Sequence, residues 1–109
     1  MPIPRGFFLN YWVVMLRIIH PGRILKEQVI EPNNLKIGEV AELLQVSRLT
    51  VSKIINGKGS ITPNIALRIQ DVFGGSADFW TRMQNKYDMA MAITEYNKNR
   101  PRLKRFEPA

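Results

Sequence analysis

Between Ser47 and Lys58 the sequence SRLTVSKIINGK gathers hydrogen-bond donors at a spacing that suits the recognition of a polyanion. Arg48 and Lys53 carry full positive charge and can reach guanine O6 and N7, Thr50 and Ser52 can bear on base edges, and Asn56 and Lys58 suit phosphate oxygens. Ser47 and the apolar Leu49 belong to the same set of candidate DNA-binding residues. The competing reading is that these side chains are simply the solvated face of a helix. Recognition is favoured because several donors sit on one short segment of a chain with 16 Lys and Arg against 9 Asp and Glu, a net charge of +7. Charge alone does not separate nucleic acid from an acidic protein or a membrane surface.

The elements that must position these groups are legible around them. Ile37 to Asn56, IGEVAELLQVSRLTVSKIIN, reads as two short helices joined by a tight turn. Val40, Ala41, Leu43 and Leu44 recur at helical spacing, Gln45-Val46-Ser47 breaks the run, and Val51, Ile54 and Ile55 resume it, so two apolar stripes share one core. Ser47 is placed to cap the second helix with its hydroxyl, and Asn56-Gly57 to end it, because glycine enters the left-handed conformation of a helix terminus without a Cβ penalty. The second helix then shows Arg48, Leu49, Thr50, Ser52 and Lys53 to solvent, where a helix-turn-helix presents its recognition helix to the major groove.

With Ala41 in the first helix, Val46 in the turn, and Val51 and Ile54 on the inner face of the second, Ile37–Gly57 resembles the helix-turn-helix of the lambda-repressor-like (XRE, Cro/C1-type) group. The likeness extends to His20-Pro21-Gly22, Asn56-Gly57, Thr62-Pro63 and Asp78-Phe79-Trp80, which stand in the order found in HigA-type (VapI-like) addiction-module antitoxins. It covers about residues 18 to 97. The resemblance implies an all-α, five-helix lambda-repressor-like DNA-binding domain with the helix-turn-helix at about residues 37–56. It also implies a sequence-specific transcriptional repressor in the cytoplasm that acts as an antitoxin, binds a double-stranded DNA operator as a homodimer, neutralises a RelE-like ribonuclease toxin and autoregulates its operon. The alternatives are a stand-alone XRE-family regulator, or a protein-interaction domain without operator binding. One position departs from the pattern: the turn residue that is often glycine is Gln45. A left-handed non-glycine residue costs about 1–2 kcal/mol, so either the chain carries that strain or the turn is built differently.

The remaining chain divides into an amino-terminal arm (1–19), the helix-turn-helix domain (20–97) and a basic tail (98–109). In the arm, the apolar run from Phe7 to Leu16 is about half of the roughly 20 residues that a membrane-spanning helix needs, and no small-residue cleavage site follows it. Either Phe7, Phe8, Tyr11 and Trp12 pack on the domain or on a second subunit, or translation begins at Met15 and Met1 to Val14 are an upstream extension. His20, the single histidine, is expected to be a structural or capping group. Pro21 suits a first turn, Ile24, Leu25, Val29 and Ile30 the first core helix, Pro32 its end and Asn33-Asn34 the following turn. Lys58-Gly59-Ser60-Ile61 reads as a polar, basic loop, Thr62-Pro63 as the start of the fourth helix and Gly74-Gly75 as its close. Ile65, Ala66, Ile69, Val72 and Phe73 are its core residues. In the last helix, capped by Ser76 or Asp78, Phe79, Trp80 and Met83 are expected in the core. Met89, Met91, Ile93 and Tyr96 lie beyond the length needed to cover a small bundle and are candidates for a subunit or partner interface. Lys98 to Arg105 reads as a solvated charge run.

Catalysis is not expected. The chain has one His and no Cys, no glycine-rich phosphate loop, and Glu39 and Glu42 fall at ordinary i, i+3 spacing on a surface helix. No cofactor or metal is implied, and the absence of cysteine fits a reducing compartment.

Overall fold

His20, Pro21 and Gly22 each start the first helix in a different way. The computed structural model describes residues 19–109; the expectations for Phe7, Phe8, Tyr11, Trp12 and a start at Met15 lie outside these residues. His20 is extended (φ −69°, ψ 135°), and its Nδ1 accepts the Gly22 amide at 2.9 Å, which is the capping role expected of it. Pro21 takes the first helical position, where its missing N–H costs nothing. Gly22 lets the helix approach a neighbouring backbone, as described below. The resulting helix α1 (Pro21–Leu25) widens into a π-helical turn over Lys26–Ile30, closed by the Glu31 amide on the Lys26 carbonyl at 2.9 Å. The widening has a packing consequence: Leu25 and Ile30, five residues apart, are both buried, whereas an α-helix of 3.6 residues per turn would point them to different sides. Asn34 (φ 52°) then turns the chain.

Helices α2 (Ile37–Leu44) and α3 (Arg48–Ile55) follow, then α4 (Pro63–Phe73) and the long α5 (Ala77–Lys98). The five α-helices among the described residues make an all-α fold. Thr62 Oγ1 accepts the Ile65 amide at 3.2 Å with Pro63 at the first position of α4, and Ser76 Oγ accepts the Asp78 amide at 3.2 Å at the start of α5. Gly74 (φ 87°) and Gly75 (φ 82°) take left-handed backbone between α4 and α5. One apolar cluster joins all five helices through Leu25, Val40, Ala41, Leu44, Val51, Ile54, Ala66, Ile69 and Trp80. Each fully buried Val, Leu or Ile contributes about 1.5–3 kcal/mol, so this shared cluster, rather than helix propensity, holds the eight-residue α2 and α3 in place.

Four core assignments are corrected by the packing. Leu43 is 48% exposed, because Val40, Ala41 and Leu44 already form the stripe facing α3 and α4 and Leu43 lies about 100° round the helix from Leu44. Val72 is exposed for the same reason, with Phe73 taking the inward position after Ile69. Phe79 is 45% exposed and sets its ring edge against Trp80 (centroids 5.1 Å apart), while Trp80 and Met83 point inward. Ile61, placed by sequence in a polar loop, is fully buried, and its amide donates to Oε1 of the buried Gln84 at 2.8 Å. Residues 91–98 of α5 are all exposed, as expected for a helix longer than the bundle it covers, and residues 100–109 have no regular structure. No helix among the described residues is long and apolar enough to cross a membrane.

Candidate nucleic-acid interface

The turn before α3 is built from strain and compensation. Gln45 sits at φ 56°, ψ 48°, so the chain does adopt the left-handed conformation there without glycine. Two groups offset the cost. The Val46 amide donates back to the Ala41 carbonyl at 3.0 Å, and Arg68 from α4 donates through Nη1 to the carbonyls of Leu44 (2.9 Å) and Gln45 (3.2 Å). Arg68 thus binds the last carbonyls of α2 and places a positive charge at the negative end of that helix. Its own Nε is held by Asn64 Oδ1 at 2.8 Å. Sequence reasoning missed this residue. The only local signal was the Asn64–Arg68 spacing on one face, and its main partners lie 23 and 24 residues away.

Ser47 starts α3 as expected: its backbone is extended, and its Oγ accepts the Thr50 amide at 3.0 Å and meets the Thr50 hydroxyl at 2.8 Å. Val51 and Ile54 point into the core, and Arg48, Leu49 and Lys53 project outward with Thr50 and Ser52 half-buried between them. Leu49 is 63% exposed, so its methyl groups are free to meet something outside the chain. The Arg48 guanidinium is folded across the first turn of α2, over Gly38. At the far end the Asn56 side-chain amide donates to the Ser52 carbonyl at 2.8 Å, Gly57 takes φ 74°, and the amides of Lys58 and Gly59 both reach the Lys53 carbonyl (2.8 and 3.0 Å). The Lys58 side chain is exposed just past that end. Seven of the eight candidate residues therefore fall on one helix and its two caps, with Lys58 two residues past the carboxyl-terminal cap and with the Ser47 hydroxyl and the Asn56 amide already engaged in the capping.

The end of α3 is braced from two sides. A Cβ on Gly22 would overlap the Ile54 carbonyl, so α1 rests directly on the α3 backbone. His20 packs edge-on against Tyr87 of α5 (centroids 4.8 Å apart). Burial pushes the His20 pKa below the ordinary imidazole value, against smaller upward pulls from the Gly59 backbone and the Asp88 carboxylate.

The electrostatics of the segment are one-sided. From Leu43 to Gln70 the chain carries no Asp or Glu, while Arg48, Lys53, Lys58 and Arg68 are basic. An acid-free helix whose outer face carries two cations, two hydroxyls and one exposed leucine is suited to an acceptor-rich groove edged by phosphates.

The helix-turn-helix family profile matches residues 25–80, which includes all of α2, α3 and α4. The chain belongs to the helix-turn-helix family. Within the XRE-type branch of that family its relatives include virulence-associated protein I and a HigA antitoxin. It is 40% identical over 74 residues to virulence-associated protein I of Dichelobacter nodosus, covering 68% of each chain. Among solved structures it is similar to an addiction-module antidote protein of the HigA family from Coxiella burnetii, with a TM-score of 0.72 and 33% identity over 83% of this chain and 99% of that one. It is also similar to the Pseudomonas aeruginosa antitoxin HigA, solved with higBA promoter DNA, with a TM-score of 0.73 and 30% identity over 80% of this chain and 96% of that one. This helix-turn-helix chain has the all-α, five-helix architecture that the resemblance implied.

Proposed function

We propose that the chain is a sequence-specific repressor acting as the antitoxin of a toxin–antitoxin module, and that α3 reads its operator. The observation that carries this reading is the capped, acid-free α3 with an exposed outer face, in a fold shared with an antitoxin that was solved with promoter DNA. Arg48 and Lys53 reach guanine O6 and N7, Thr50 and Ser52 contact base edges, and Leu49 meets a thymine methyl group. Lys58 and the polar groups of Asn56 and Ser47 lie against the phosphates and set the register without reading sequence.

The chain works as a homodimer in this reading, since one α3 spans only a few base pairs and paired half-sites lie about 34–36 Å apart. The exposed stripe Met89, Ile93 and Tyr96 on α5, at four- and three-residue steps beside a groove of about 300 Å³, is the surface that suits a second copy. Neutralisation of a toxin is supported by the antitoxin names of relatives; that the toxin is a RelE-like ribonuclease rests on the resemblance of the motifs, and a repressor of this kind acts in the cytoplasm.

Titration of a labelled fragment from the region upstream of the chain's own reading frame, against scrambled DNA of equal length at one salt concentration, tests the DNA reading. Preference for the upstream fragment is expected, and equal affinity for both sinks it. Co-purification with the product of the adjacent reading frame, together with relief of the growth arrest which that product causes, tests the toxin reading. The absence of both sinks that part while leaving the repressor.

A further inference from the structure

Gly38 lies in the first turn of α2, and its backbone gives no reason for a glycine. The positive-φ glycines among the described residues are Gly57, Gly74 and Gly75, so Gly38 carries a helix-weakening residue in ordinary helical geometry. The reason lies across the motif. A Cβ at position 38 would come within 2.8 Å of Arg48 Nη2 and 3.0 Å of its Cζ and Nε, which are the three nearest atoms. The space that a methyl group would fill holds the Arg48 guanidinium.

That guanidinium is seated by packing rather than by a charge partner. Arg48 belongs to neither of the two ion pairs found among the described residues. The carboxylate of Glu39, next to Gly38 in sequence, is engaged with the Lys36 amide at 3.1 Å, holding the start of its own helix. Among the described residues the guanidinium of Arg48 is engaged in no ion pair, and it lies against the first turn of α2 at Gly38. A guanidinium that already favours one seat loses less rotamer freedom when it meets a base edge, which favours bidentate reading.

We propose that Gly38 is a specificity-determining positioning residue, which opens the seat on α2 that presets Arg48 for its contact with the operator. The inference rests on the DNA-binding reading above. It predicts that residue 38, which need not touch DNA itself, controls preference at the base pair read by residue 48.

The test compares the parent with Gly38→Ala, Arg48→Ala and the double variant, titrating each with the operator and with a set of single-base-pair changes at fixed salt. Arg48→Ala is expected to lose roughly 5- to 150-fold in discrimination at one position, the range of one bidentate pair. Gly38→Ala is expected to lose much of the same discrimination at that position, and the double variant to be no worse than Arg48→Ala alone. Gly38→Ala binding as the parent does, losses that multiply in the double variant, or a loss spread evenly over all sequences each overturn the proposal. The melting temperature of Gly38→Ala is expected to equal or exceed that of the parent. A fall shows that the added methyl displaces more than a guanidinium and counts against the seat. If the parent shows no operator preference, the DNA reading fails by itself, and the seat is then judged in the free protein. There the heteronuclear NOE of the Arg48 Nε–H should drop in Gly38→Ala, and an unchanged value overturns the proposal.

Discussion

Substituting Gly22 with alanine sets one methyl group against the backbone of α3. In the native packing the new Cβ overlaps the Ile54 carbonyl oxygen and lies 2.6 Å from its carbon, where ordinary contact begins at about 3.4 Å. The obstacle is main chain at the last turn of α3, so no side chain can swing aside. α1 must lift or the end of α3 must shift, and either movement opens contacts around Leu25 and Ile54, both buried in the core. Alanine does reduce the freedom of the unfolded chain, a gain of about 0.4–1 kcal/mol. Overpacking a tight site costs about 1–3 kcal/mol, and a backbone obstacle belongs at the upper end. A net loss of about 2 kcal/mol corresponds to a fall in melting temperature of roughly 8–16 °C for a domain of this size. Thermal and urea melts of parent and variant provide the assay. A variant melting within 2 °C of the parent refutes the close approach of α1 to α3, and with it the account of why Gly22 follows the His20 cap. The contrast with Gly38→Ala sharpens the test, since the same chemical change there meets only the end of a flexible side chain and should leave the melt unharmed.

Four further outcomes follow from the site. The pKa of His20 is lowered on folding, so its stabilising contribution is fully present above the ordinary imidazole value of 6.5 and is lost as pH falls towards the lower folded value. Melts between pH 7.5 and 5.5 should show this loss in the parent and a flatter profile in His20→Asn, whose amide oxygen can still cap α1, and equal slopes count against it. Gln45→Gly relieves about 1–2 kcal/mol of left-handed strain at an entropic cost of about 0.5–1 kcal/mol, so the melting temperature should rise by a few degrees. A fall shows that the glutamine side chain contributes more than its backbone strain costs. Replacing thymine by uracil base by base along the half-site should weaken the parent at the position Leu49 meets and leave Leu49→Ala unaffected, whereas Lys58→Ala should weaken every sequence alike and reduce the salt slope by about one phosphate contact. Parent binding that is indifferent to all such replacements removes Leu49 from base reading.

What could be read in the sequence had short-range causes. Ser47, Thr62 and Ser76 cap helices through bonds to amides two or three residues on, so their role is written in adjacent letters. Val40, Ala41 and Leu44, or Ala66 and Ile69, announce an inner face by spacing alone. Leu43, Val72 and Phe79 show the limit of that rule: each adjoins another apolar residue, periodicity allows either of the two to face inward, and only the position of the neighbouring helices decides. Longer reach hid the rest. Arg68 on the carbonyls of Leu44 and Gln45, Gln84 on the Ile61 amide and Arg48 over Gly38 join residues between 10 and 24 positions apart, and no local pattern marks them. The π-helical turn is of the same kind, since it exists to bring Leu25 and Ile30 to one side of a helix whose partner the sequence does not name.

These long-range contacts share a target. At the start of α3, Arg68 from α4 fixes the turn that leads into it, and Gly38 from α2 seats its first side chain. At its end, Gly22 from α1 supports the Ile54 carbonyl, while His20 with Tyr87 of α5 closes the adjoining corner. Every other helix of the fold therefore constrains α3 or its flanks, although α3 has only eight residues and an isolated helix of that length is not stable in water. A segment that had to order itself on the DNA would lose about 1–2 kcal/mol of backbone entropy for each residue fixed. Here folding has already met that cost, so the contacts proposed for Arg48, Leu49 and Lys53 would appear as affinity and discrimination instead of being consumed in forming the helix that presents them.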